Sequence, residues 1–87
     1  MSDIEDIKKL LKTDKIILGA ERTLKGLKKS EVKKVYLANN CAELIRDDAQ
    51  HYAKLSGASV VELDVPNVEL KNICRKPFAI SVIGVLK

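Results

Sequence analysis

Hydrophobic residues in this chain switch repeatedly between a helical and a strand-like rhythm. Ile4, Ile7, Leu10 and Leu11 recur at helical spacing, and Ser2 with Glu5 has the form of a capping box, so a first helix is predicted over residues 3–12. A short β-branched run at 15–18 predicts a strand, and Gly19 follows it. Beyond Gly19, Ala20, Leu24 and Leu27 fall on one side of a helix, with Arg22, Lys25, Lys28 and Lys29 largely on the other. A second strand is predicted at 35–38, a turn at Asn39 and Asn40, and a third helix over 42–56 that Asn40 can cap. Leu44, Ile45, Ala49, Tyr52, Ala53 and Leu55 are its candidate buried positions, and Gly57 sits where a helix end wants a left-handed residue. A third strand follows at 59–63, a break at Val65, Pro66 and Asn67, a short helix at 68–74, and an almost wholly apolar strand at 79–86.

Alternating helices and strands predict an α/β domain with a central sheet between helical layers. The length suits one domain, 1–87, and a domain so small buries only roughly 60% of its unfolded surface, so its stability margin is thin. Tyr36, Tyr52 and Phe78 are the only aromatics, so the core has to be aliphatic. No apolar run approaches the roughly 18 residues of a membrane span, and the acidic, amphipathic beginning does not read as a secretory signal. Cys41 and Cys74 have no zinc-ligand spacing and read as reduced, buried thiols of a cytoplasmic protein.

Charge changes the picture by its distribution. Residues 15–34 carry seven basic side chains against Glu21 and Glu31, and residues 70–87 add Lys71, Arg75, Lys76 and Lys87. Between them, residues 43–69 hold six acids against Arg46 and Lys54. If the basic blocks meet in space, one face is positive and another negative.

Three turns are candidates for chemistry. At Gly19, Ala20 and Arg22 a glycine opens a helix whose first N–H groups lack partners, beside the charges of Arg22 and Lys25, which suits a phosphate. Read alone, this glycine is equally a simple turn residue. Asn39 and Asn40 carry amides able to read base edges, or else only form a turn and a cap. Lys76, Pro77 and Phe78, next to Arg75, set cations beside an aromatic that either packs on an unstacked base or enters the core. The Gly19 and asparagine turns both lie at strand C-terminal ends. The third loop joins that edge only if the last strand runs antiparallel to the others.

Catalysis is disfavoured. His51 is the only histidine, Cys41 lies nearly three helical turns from it, and Asp47 and Asp48 diverge around the helix. No phosphate-loop or dinucleotide motif is present, so no cofactor, metal or small-molecule substrate is expected.

The segments LGAERTLK, VYLANNC, HYAKLSG, PNVELK and CRKPF, in this order, resemble the large-subunit ribosomal protein 30 family of archaea and eukaryotes, part of a wider family of kink-turn RNA-binding proteins. The likeness spans about residues 10–86. It implies a three-layer α-β-α sandwich with a mixed four-stranded sheet. It implies that Gly19, Ala20, Arg22 and Lys25 enter the RNA groove at the kink, and that Asn39 and Asn40 touch bases or sugar edges. Lys76, Pro77 and Phe78 would cover the nucleotide turned out at the bend. Glu21 departs from the Asn, Lys or Arg usual there in the family, and Lys71 and Arg75 stand where relatives usually carry glycine. The implied partners are large-subunit rRNA and neighbouring ribosomal proteins, in the cytoplasm, with a monomer when free. The alternatives are a non-ribosomal kink-turn protein of a guide-RNA particle and a protein-interaction module using the acidic residues of 43–69.

Overall fold

Side chains that alternate along each strand sort onto the two faces of one sheet. A computed structural model describes residues 3–87. Its elements are α1 (Asp3–Leu10), β1 (Ile16–Leu18), α2 (Ala20–Lys28), β2 (Val32–Leu37), α3 (Glu43–Ser56), β3 (Ser59–Glu62), α4 (Asn67–Cys74) and β4 (Val82–Leu86). The strands lie in the order β1-β4-β2-β3. β4 is antiparallel to both its neighbours, and β2 and β3 are parallel. β1, β2 and β3 therefore all end at the edge where β4 begins.

On one face, Ile16, Leu18, Tyr36, Val61, Ile83 and Val85 pack with Ile7 of α1 and Leu70 of α4. On the other, Ile17, Val35, Leu37, Val60 and Val82 pack with Leu27 of α2 and with Ala49 and Ala53 of α3. The result is a three-layer α-β-α sandwich with a mixed sheet. α2 sits tight on the centre of the sheet. A Cβ at Gly84 would lie 2.9 Å from Thr23 Cγ2, and Thr23 is fully buried. Thr23 Oγ1 donates to Gly19 O at 2.7 Å, which ties this close approach to the turn at the sheet edge.

Several expectations shift. α1 ends at Leu10, because Lys12 N donates to Lys9 O and Thr13 N to Leu10 O in a tightened last turn. The proposed cap Ser2 lies outside the described residues. β2 begins at Val32, before the predicted position, and β4 begins only at Val82. Ahead of β4, Ile80 is buried but its N–H turns to Asn67 O (3.4 Å) and away from the ladder. Leu44 and Leu55, expected to be buried, are 79% and 72% exposed. Both lie roughly half a turn around α3 from Ala53, which points into the core. Gly57 closes α3 in the left-handed region, as expected. Cys41 and Cys74 are free, buried and on opposite faces of the sheet, so they cannot pair. Burial pushes both thiols up, against a smaller lowering from Arg46 at Cys41 and Lys76 at Cys74.

Candidate nucleic-acid interface

The start of β4 is the hinge pin of the site. Gly19 N, at the end of β1, donates to Val82 O (2.9 Å), and Ala38 N, at the end of β2, donates to Ser81 O (2.9 Å). The antiparallel β4 thus meets the condition that the sequence left open, and all three candidate loops share one edge.

At the β1–α2 turn, Gly19 has φ 109 and ψ 150, a region essentially closed to residues with a Cβ. A Cβ there would meet nothing within 4 Å, so conformation and not space demands glycine. Gly19 O accepts from Thr23 N (3.2 Å) as well as from the Thr23 hydroxyl, which anchors the first turn. Gly19 has no side chain to spend on the leading N–H groups of α2, at Ala20, Glu21 and Arg22, and these face outward with the positive end of the helix dipole. Arg22 is exposed on this turn. Lys25 Nζ lies 3.8 Å from Glu21 Oε1, with side chains 69% and 86% exposed. So exposed a pair contributes little stability, but it draws Lys25 toward a carboxylate.

The β2–α3 turn is built differently. Asn39 N donates to Val65 O (2.9 Å), and its Nδ2 donates to Asp64 O (3.1 Å). Arg46 of α3 donates through Nη2 to Asn39 O (3.2 Å), while its Nε lies 3.2 Å from Glu62 Oε1, an ion contact off hydrogen-bond alignment. Asn40 does not cap α3, whose N-cap is Ala42. Its Oδ1 accepts from Asn67 N (2.8 Å) and its Nδ2 donates to Asn67 Oδ1 (3.1 Å), so it caps α4 from a distance. The two asparagines clasp the β2–α3 turn to the start of α4.

The third loop leaves α4 through Arg75, a non-glycine residue at φ 55, ψ 46. Lys76 and Pro77 are exposed, and Phe78, 52% exposed, stays out of the core. Arg22, Lys76 and Phe78 line a single open groove of about 1220 Å³. Lys8 and Lys12, from α1 and the turn after it, and Arg75 border it too. Lys25, Asn39 and Asn40 lie outside it. The sequence reading missed Lys8 and Lys12, because the acids of residues 1–14 hide them in a net charge. Their four-residue spacing on one helical side was the available signal.

Fold and site together define a small α-β-α sandwich with a cationic strand-end edge; among the described residues no cluster of side chains could hold a metal. The chain belongs to the ribosomal protein L7Ae/L30e/S12e/Gadd45 family, whose model matches residues 4–87. It is 42% identical over 81 residues to the large ribosomal subunit protein eL30 of Saccharolobus solfataricus, covering 93% of this chain and 75% of that one. The eL30 protein of Methanocaldococcus jannaschii is 39% identical over 80 residues, covering 92% and 73%. Both relatives are proteins of the large ribosomal subunit. Among solved structures, a Bacillus halodurans protein of unknown function superposes with a TM-score of 0.85 at 15% identity, covering 97% of this chain and 83% of that one. A Giardia lamblia 15.5kD RNA binding protein does so at 0.76 and 19%, covering 97% and 70%. Both likenesses establish the fold.

Proposed function

We propose that this protein is an RNA-binding component of the large ribosomal subunit that recognises a kink-turn in rRNA. The observation that carries the reading is the meeting of Arg22, Lys76 and Phe78 on one groove at the sheet edge, with Gly19 beside them. In this reading the open N–H groups at Ala20 and its neighbours, with Arg22 and Lys25, hold phosphates at the kink. Lys76, Pro77 and Phe78 cover the nucleotide turned out at the bend. Asn39 reads a base or sugar edge, while Asn40 contributes chiefly by holding that turn in place. An A-form major groove is too narrow for side chains, so a kink that opens it supplies selectivity by shape. The chain acts in the cytoplasm within the ribosome, beside neighbouring ribosomal proteins, and is a monomer when free.

The test is a titration of a kink-turn RNA against a straight duplex of equal length. Tighter binding to the kinked RNA is expected, with a log–log salt slope of roughly −3 to −5 for about four to six neutralised phosphates. Equal affinity for both RNAs would reject shape recognition. Crosslinking in cells should recover large-subunit rRNA through residues 19–25, 39–40 and 75–78. Small guide RNAs in its place would move the protein to a different particle.

A further inference from the structure

The groove runs past the loops just described, along the outer margin of the sheet. β1 lines it, an edge strand whose far side is covered by no strand among the described residues. Lys15 O and Gly19 N both bond to β4, accepting from Leu86 N and donating to Val82 O. In an antiparallel ladder the intervening residues of that set point the other way, so the N–H and C=O groups of Ile16 and Leu18 face out into the groove. Lys8 and Lys12 from α1 and the turn after it, Arg22 from α2, and Arg75 and Lys76 from the end of α4 line it together. Among the described residues no aspartate or glutamate lines it. Leu11, Ile16, Leu18 and the half-exposed Phe78 supply apolar surface between the charges.

We infer that the α1 side of this groove, from Lys8 and Lys12 along β1, extends the contact beyond the kink and takes a single-stranded RNA segment that leaves it. This inference rests on the reading above only for the origin of that segment. The groove's volume of about 1220 Å³ exceeds the roughly 300–1,000 Å³ of small-molecule pockets, and it is open-sided, which suits a polymer. An extended peptide could in principle add to the edge of β1. That edge is three residues long and offers outward groups from only two of them, Ile16 and Leu18, too few to template a strand of about five residues. A phosphate chain needs the opposite: spaced cations, with apolar and aromatic surface on which bases rest. The groove also runs into the cationic edge without a break, through Arg22, Lys76 and Phe78.

The experiment compares one kink-turn RNA with and without a single-stranded uridine tail, on the intact protein and on Lys8→Ala/Lys12→Ala. Both lysines are exposed, so the variant keeps its fold. The tail should tighten binding to the intact protein by roughly tenfold. If the two lysines hold two phosphates, that advantage should shrink about sevenfold between about 50 and 200 mM salt. The double variant should lose the advantage and keep its affinity for the untailed RNA. A tail without effect on the intact protein overturns the inference, and so does a variant that weakens both RNAs equally. A short oligouridylate added alone should shift the amide resonances of Ile16 and Leu18, and Lys8→Ala/Lys12→Ala should abolish those shifts. This arm stays readable if the protein fails to prefer kinked over straight RNA, a result that would sink only the proposed function. If an aspartate-rich peptide shifts those amides and the oligouridylate does not, the groove is a peptide site and the inference falls.

Discussion

Two strand-to-helix turns sit on the same edge of the sheet and use their polar groups in opposite ways. At Gly19 the backbone is locked by Val82 and Thr23, while the leading N–H groups of α2 are left facing outward. At Asn39 and Asn40 the side-chain amides bond within the protein, Asn39 through Nδ2 alone to Asp64 O and Asn40 through both amide atoms to Asn67. A turn that looks plain is the open one, and a turn rich in hydrogen-bonding residues is largely committed. The difference teaches that residue type at a turn identifies neither role; what each group already bonds does.

The largest expected effect follows from the open turn. Gly19→Ala forces a Cβ into a conformation that costs about 2 kcal/mol, or roughly 10 °C in melting temperature for a domain of this size. It should also weaken kink-turn binding more than tenfold in a titration; a variant that melts and binds like the parent would erase the contrast. Asn40→Ala removes the clasp and the distant cap on α4, at about 1 kcal/mol in urea unfolding. Its RNA affinity should fall less than that of Arg22→Ala, and a larger fall would make Asn40 a direct reader of the RNA.

Arg75→Gly relieves a left-handed non-glycine residue and should raise stability by about 0.5–1 kcal/mol, while a lost cation weakens RNA binding several-fold. Glu21→Gln should change stability by less than about 0.5 kcal/mol, since the pair with Lys25 is exposed. It frees Lys25 and should tighten RNA binding a few-fold, whereas a weaker complex would show the carboxylate accepting from a base. The smallest effect is on pH dependence. The folded thiols of Cys41 and Cys74 lie above their unfolded value, so their contribution is fully present below the unfolded value. It is lost as pH rises from about 8.5 through the folded values, seen as a modest fall in melting temperature with alkaline pH.

Much of the fold was legible because its signals are local. Helical spacing at Ile4 and Ile7, β-branched runs and Gly57 each announce an element within a few residues. The layer order and the meeting of the three loops depended on the direction of β4, which no periodicity reports. Asn40 read as a cap for its own helix because its true partner, Asn67, lies 27 positions away. Leu44 and Leu55 read as core because periodicity alone did not fix which stripe of α3 faces the sheet. Lys8 and Lys12 were hidden by the acids around them, and the groove they border with β1 and Arg75 is assembled only across the fold.

β4 stands between β1 and β2, yet it follows every other described element in the chain. Until it arrives, the two strands that it separates have nothing to hold them in register, and the turns at their ends are not neighbours. If the edge holds RNA as proposed, a copy whose β4 has not docked therefore lacks a finished grip. On the proposed function, copies with β4 undocked would be passed over by the RNA, so binding itself would select for completed folding.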